Sequence, residues 1–308
     1  MTSWGCSLSH MPVDSEGRSV GASGYDRQEN DVHPILVDFG TVTIFGAKIP
    51  IVIGSYGLVF ALAIVTGWLL ARALGTKVYP DAPWMDLYFG SIVSGFLGAK
   101  LANALVFLPD LLAGRKSFAG ILLGGGVWLG GAIAGAGFAW MLSRRHGLDF
   151  GIVTNVFFTG IPLAHGLGRI GCLLGGCCYG GECSLPWAIT YTSELAHRLN
   201  GTPLHVALHP APVYEFLLEM MNFAICYTLW RRKPKPWTIM PVWLGLYGIE
   251  RFGLEFLRSD ARGQFGWLTT SQWISLAMVV AALTFFALRR RRAPREDPAS
   301  KARRRRRR

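Results

Sequence analysis

Four groups of residues have types and spacings suited to chemistry. Tyr247, Arg251 and Glu255 are spaced by four, which puts them on one helical stripe, and Arg258 extends it outward. Arg169 stands in Gly166-Leu167-Gly168-Arg169-Ile170-Gly171, whose glycines permit close helix approach or local unwinding. A guanidinium stays ionised and donates two parallel hydrogen bonds from a planar fork, which suits a phosphate. His209 precedes Pro210-Ala211-Pro212-Val213-Tyr214-Glu215, where the prolines start a helix and Glu215 lies one turn inside it. Cys172, Cys177, Cys178 and Cys183 form C-x4-C-C-x4-C, while Cys6 and Cys226 stand apart. This spacing departs from the paired C-x2–4-C of structural zinc, so neither a metal nor a cofactor is expected. A disulfide, inert thiols and a metal or redox site are the readings open to the cluster. A bridge from Cys183 to Cys178 or Cys177, with the chain turning back after Gly175-Gly176, is the expected one.

Each group also has a structural reading. Arg251 and Glu255 could merely lock helices together, and an interfacial histidine such as His209 is often an anchor. What decides between readings is where the groups sit, so the surrounding elements matter. The chain has 308 residues, of which 51% are hydrophobic and only 16% charged, with mean hydropathy +0.33. A soluble protein needs about a quarter of its residues charged. These figures exclude a soluble two-domain enzyme, a disordered chain and a small disulfide-stapled scaffold. Apolar runs at 49–71, 87–109, 118–143, 150–168, 210–230, 236–257 and 269–288 are each near the ~20 residues that cross a bilayer. The expectation is an all-α polytopic membrane protein with seven transmembrane helices.

Lysine and arginine then orient the spans. With residues 1–48 outside, twenty of the 31 basic residues fall inside and eight outside, and Lys100, Arg169 and Arg251 lie at membrane depth. This predicts a periplasmic N-terminus and a cytoplasmic C-terminus. Residues 1–48 show no sustained period and no cleavable signal core, so they read as a flexible periplasmic segment ahead of a membrane domain at 49–288. Residues 289–308 carry twelve of the basic residues, a cytoplasmic tail that fixes topology and touches anionic membrane lipid rather than nucleic acid. Residues 180–208, with Pro186, Trp187, Tyr191, His197 and His205, read as a small periplasmic lid between spans four and five.

Ionisable groups at membrane depth are expensive and usually face an interior or a cavity. Two intramembrane arginines with too few acids to neutralise them imply an anionic ligand, and in a bilayer that is a phospholipid head group.

At this point the residues resemble bacterial prolipoprotein diacylglyceryl transferases, from about Ser55 to Ser275. The resemblance rests on the order and spacing of several short motifs. They are Tyr56-Gly57-Leu58, Gly98-Ala99-Lys100-Leu101, Leu129-Gly130-Gly131 and Gly168-Arg169-Ile170-Gly171 with Tyr179-Gly180. Pro186-Trp187-Ala188, His209-Pro210 through Tyr214-Glu215, and Tyr247-Gly248 with Arg251, Glu255 and Arg258 follow, then Ser271-Gln272. The resemblance implies an inner-membrane enzyme that moves the diacylglyceryl group of phosphatidylglycerol to the lipobox cysteine of a prolipoprotein signal peptide.

It also implies roles. Arg169 and Arg251 would clamp the phosphate, and Tyr56, Lys100, Gly130 and Gly131 would bind substrate. Arg251, Glu255, Tyr247 and His209 would serve the chemistry, with Glu255, His209 or a head-group oxygen as the base. The substrate thiolate attacks a carbon whose leaving group is a phosphate ester. Four positions depart from the family pattern. Leu129 replaces a histidine, Cys172 an asparagine and Cys177 a glutamate, while Lys100 stands for an arginine. These departures keep open a second reading: a non-catalytic or thiol-redox phospholipid-binding paralogue on the same scaffold.

Overall fold

A β-branched run decides where the first long helix starts. Ala47–Gly54 contains Ile49, Ile51, Val52 and Ile53, residues that suit a pleated strand, and it forms strand rather than the start of a span. In the computed structural model, which describes residues 3–4, 34–44, 47–115, 117, 120–121, 125–258 and 263–292, it is the third strand of the chain. A short β1 (Ser3–Trp4) and the ten-residue β2 (Ile35–Ile44) precede it, and β2 pairs antiparallel with β3 (Ala47–Gly54). Helix α1 therefore runs Ser55–Gly75, not from residue 49. Helices α2 (Trp84–Val106) and α3 (Leu108–Leu112) follow, then β4 (Gly126–Val127), which pairs with β1. Helix α4 (Trp128–Arg145) starts ten residues later than the apolar run suggested. Gly124-Gly125-Gly126 immediately precede it, and glycine loses the most freedom on entering a helix.

Helix α5 spans Phe150–Leu174, with Asp149 as N-cap accepting from the Gly151 amide at 2.8 Å. It passes straight through Arg169 instead of ending or unwinding there, so the arginine is carried by a continuous helix. Between Leu174 and Ala211 lie β5 (Ile189–Thr190), a one-and-a-half-turn α6 (Glu194–Asn200) and β6 (Ala207–Leu208), with β5 and β6 paired antiparallel. Helices α7 (Ala211–Arg231) and α8 (Ile239–Leu254) come next. A 3-10 turn (Glu255–Leu257), the hairpin β7 (Gln264–Phe265) and β8 (Leu268–Thr269), and α9 (Thr270–Arg292) complete the order.

Four of these helices, Ser55–Gly75, Trp84–Val106, Phe150–Leu174 and Thr270–Arg291, are long and apolar enough to cross a membrane. Leu58, Phe60, Leu62, Val65 and Leu69 on α1, and Phe96, Leu97, Leu101 and Leu105 on α2, are exposed, as lipid-facing surfaces are. The chain is a polytopic, mostly helical membrane protein.

Helix α5 sits at the centre, packed on α1, α7 and α8. One apolar core joins Ala71, Leu74, Trp84, Leu87, Val153 and Val156, and a second joins Cys226, Ile239 and Trp243. Near the opposite end from Arg169, buried Asn155 ties α5 to the start of α8. Its Nδ2 donates to the Lys235 carbonyl (2.9 Å), and its Oδ1 accepts from the Thr238 (3.0 Å) and Ile239 (2.9 Å) amides. A side chain from α5 thus satisfies the orphan donors that begin α8. Helices α2 and α4 pack mainly on each other through glycines. A Cβ on Gly130 would lie 2.4 Å from the Ala102 Cβ and 2.7 Å from the Gly98 carbonyl oxygen. One on Gly131 would meet the Gly95 oxygen at 2.9 Å.

Candidate functional site

Two helices bring complementary pairs face to face. On α5, His165 and Arg169 are one turn apart; on α7, Glu215 and Glu219 are one turn apart. Arg169 Nη2 lies 2.9 Å from Glu215 Oε1, and both groups are buried. The contact is close but not in line, and Glu215 Oε1 accepts no well-directed hydrogen bond. One turn away, His165 Nδ1 lies 2.6 Å from Glu219 Oε1, and His165 Nε2 lies 2.9 Å from Arg169 Nη2. A carboxylate only accepts and an arginine only donates. The consistent tautomer of His165 therefore carries its proton on Nδ1 and accepts from Arg169 at Nε2.

The chain of contacts continues into α8. Asn222 Nδ2 donates to Glu250 Oε2 (2.8 Å) and, more weakly, to Glu219 Oε2 (3.5 Å), while Trp243 Nε1 donates to Glu219 Oε2 (3.3 Å). Tyr247 stacks on Trp243 with centroids 4.9 Å apart and meets His165 edge-on at 5.3 Å. Toward the end of α8, Arg251 Nη2 donates to Glu255 Oε2 at 3.1 Å, the i,i+4 pair that the spacing suggested. Glu255 Oε1 accepts from the Thr269 hydroxyl at 2.9 Å. Arg258 Nη1 lies 4.0 Å from Glu215 Oε2, so Glu215 sits in the field of Arg169, His165, Arg251 and Arg258.

This geometry corrects the charge argument made from sequence. The arginines are not short of acids, because Glu215, Glu219, Glu250 and Glu255 all turn into the same interior. The better sign of an anionic ligand is Arg251 Nη1, which is buried and has no hydrogen-bond partner among the described residues. An orphaned buried cationic donor is costly unless something binds it.

The other sequence candidates fall in several places. Tyr56 packs against the C-terminal end of α5, where a Cβ on Gly171 would meet its ring at 3.2 Å, and it stacks on Phe60. His209 Nδ1 is 3.3 Å from the Tyr214 hydroxyl, which accepts from Trp187 Nε1 at 2.8 Å. The His209 backbone is stitched to Gly180 and Gly181, and these in turn to Leu257 and Arg258 at the end of α8. Lys100 is half-buried on α2 with its ammonium 5.5 Å from the Phe96 ring. Gly130 and Gly131 lie in the α2–α4 seam, where a side chain would collide with α2. Leu129, where the family pattern has histidine, is 59% exposed on α4.

The cysteines also depart from expectation. The chain does turn back after α5: Gly176 takes φ +67° and Cys178 φ +61°, and the Cys177 amide bonds the Cys172 carbonyl at 3.0 Å. The thiols brought together are Cys172, Cys177 and Cys178, however, and Cys183 is not among them. Cys183 is drawn off because its amide bonds the Ala207 carbonyl (3.0 Å) next to the Glu182–Leu208 bridge. Arg169 Nη1 lies 3.9 Å from Cys172 Sγ and 3.8 Å from Cys178 Sγ. Hydrogen bonds from Cys172 and then Cys177 pull the Cys178 thiol well below its ordinary range against the cost of burial, with Arg258 and Arg169 adding to the effect.

Sequence reasoning missed His165, and with it the link to Glu219, Asn222 and Trp243. The signal was present: His165 is four residues before Arg169, matching the four-residue spacing of Glu215 and Glu219.

Fold and site together define a membrane protein with an ionised, hydrogen-bonded interior at the ends of three helices. The chain belongs to the prolipoprotein diacylglyceryl transferase family, whose model matches residues 43–288, and it is a transferase of the bacterial inner membrane. It is similar to the phosphatidylglycerol–prolipoprotein diacylglyceryl transferase of Clostridium tetani, 29% identical over 79% of this chain and 94% of that protein. The second such enzyme of Clostridium perfringens is 30% identical over 79% and 92%. That of Pseudomonas savastanoi is 32% identical over 76% and 88%.

Proposed function

We propose that this chain transfers the diacylglyceryl group of phosphatidylglycerol to the lipobox cysteine of prolipoproteins. The observation that carries the proposal is the buried Arg251 with an unpartnered Nη1, beside Arg169 and Arg258, in a chain of this family. Arg251 and Arg169 take the lipid phosphate, and Tyr56 and Tyr247 line the approach. As Arg169 turns to the phosphate, His165 Nε2 loses its donor and can accept the proton of the substrate thiol. Glu219 holds the opposite ring nitrogen and stabilises the imidazolium, as a carboxylate does in acid–base triads. The thiolate then attacks the lipid glycerol carbon, the carbon–oxygen bond to phosphate breaks, and the arginines stabilise the charge on the departing glycerol phosphate. Both oxygens of Glu255 are already engaged, which makes it a positioning group for Arg251.

The seven-span arrangement belongs to this reading, with residues 1–48 and the 180–208 lid periplasmic and residues 289–308 cytoplasmic. Reporter fusions at Gly147 and Lys235 are expected to read cytoplasmic and one at Asn200 periplasmic; a periplasmic signal at Lys235 overturns that topology.

Leu129 and the thiol cluster favour a second reading, a lipid-binding paralogue without transfer. Complementation of a transferase-depleted bacterium separates the two. The wild-type chain is expected to rescue growth, and Arg251→Ala to lose rescue at equal membrane abundance. Absence of rescue by well-expressed wild-type protein points to the paralogue.

A further inference from the structure

The turn after α5 brings the Cys172 thiol to those of Cys177 and Cys178, which follow it by five and six residues. The Sγ atoms of Cys172, Cys177 and Cys178 all lie within 4.8 Å of one another. Tetrahedral zinc with zinc–sulfur bonds of about 2.3 Å places its sulfurs about 3.8 Å apart, so a contraction of at most ~1 Å closes the trio on one ion. The backbone is shaped for this approach. Gly176 adopts a left-handed φ, and a Cβ there would sit 2.7 Å from the Ala196 Cβ, so only glycine lets the turn pack under α6.

A separate observation points to a ligand at the same place. Tyr191, at the end of β5, is fully buried, and its hydroxyl has no hydrogen-bond partner. The tyrosine ring lies against Gly176, and its hydroxyl interacts electrostatically with Cys177, Cys178 and Cys172. A buried phenol is expected to be satisfied, and here the sulfur cluster is the group whose charge it feels.

We propose that Cys172, Cys177 and Cys178 bind one thiophilic d10 cation, divalent zinc or monovalent copper, with the Tyr191 hydroxyl or a water completing its shell. Three thiolates and one zinc ion carry a net charge of −1, which the adjacent Arg169 and Arg258 balance. The loaded site would staple the end of α5 to the segment that carries Tyr191 and hold the Arg169 fork in place. Soft thiolates select such ions over magnesium or calcium. Cys183 and Cys226 lie outside the trio, which makes them internal controls.

The test uses the full-length protein, purified in detergent under anaerobic, reducing conditions and incubated with zinc, cobalt or monovalent copper before desalting. The expected result is about one equivalent of zinc or copper by elemental analysis, and a sulfur-to-cobalt charge-transfer band on cobalt loading. Both should fall to baseline in Cys172→Ser/Cys177→Ser/Cys178→Ser and persist in Cys183→Ser and Cys226→Ser. If the triple variant fails to fold, the wild type still decides the question: bound zinc should protect three thiols from alkylation until a chelator is added. Absence of metal and cobalt band in folded wild-type protein, unprotected thiols, or a disulfide between Cys172 and Cys177 or Cys178 in the protein as isolated would each overturn the proposal.

Discussion

Arg169→Ala is expected to lower diacylglyceryl transfer by at least ~10²–10³-fold, the loss that follows removal of a donor aimed at developing charge. The same substitution takes from buried Glu215 its 2.9 Å partner and leaves His165 at 3.9 Å and Arg258 at 4.0 Å, at a cost to stability of about 3–5 kcal/mol. Two effects then overlap, and Arg169→Ala/Glu215→Gln separates them. Removing both charges should restore most of the thermal midpoint while transfer stays at background. Arg169→Lys keeps the charge without the fork and should fall between. Transfer of labelled lipid to a signal-peptide substrate, read beside a melting curve in detergent, reports both quantities. Recovery of transfer in the double variant would make Arg169 a structural lock and not a phosphate clamp.

Asn155→Ala is expected to have the opposite profile. It removes three hydrogen bonds at once and leaves the Thr238 and Ile239 amides without their acceptor, while the Lys235 carbonyl keeps the Thr238 hydroxyl at 2.7 Å. Each buried group left unsatisfied costs about 1–3 kcal/mol, so a loss on the order of 3 kcal/mol is expected even if water reaches part of the gap. Asn155→Asp keeps the acceptor for both amides and adds a negative charge at a helix N-terminus, so it should be milder than alanine. Transfer per folded molecule should match wild type in both variants, as the residue lies two to three turns from His165 on α5. A melting midpoint unchanged in Asn155→Ala would show that this clasp contributes nothing to holding α5 and α8 together.

The helices were legible because apolar runs bounded by charge have few alternatives in a chain this greasy. Their ends were less so. Hydropathy cannot tell the β-branched run 49–53 from the start of a helix, since both are apolar, and only pairing with Ile35–Ile44 decides it. The Arg251–Glu255 pair was legible because both residues lie on one helix at fixed spacing. Arg169–Glu215 and His165–Glu219 join different helices, and which faces meet is a tertiary fact. Gly130 and Gly131 were assigned to substrate through the family resemblance alone, and the helix seam they also line is a tertiary fact that spacing does not show. The turn after Gly175-Gly176 was legible, but the thiols it gathers were not, because left-handed residues at 176 and 178 decide which sulfurs meet.

The pairing of α5 with α7 also constrains how the protein is made. Helix α5 carries His165 and Arg169 into the membrane, but Glu219 follows His165 by 54 residues. At ribosomal rates of about 5–20 residues per second, roughly 3–10 s pass before the partner is synthesised. During that interval an arginine alone in hydrocarbon costs about 2.5–3.5 kcal/mol on the insertion scale. Helix α5 is therefore poorly suited to leave the insertion machinery alone, and its release should await α7, so that the two helices enter the bilayer as a charge-matched pair.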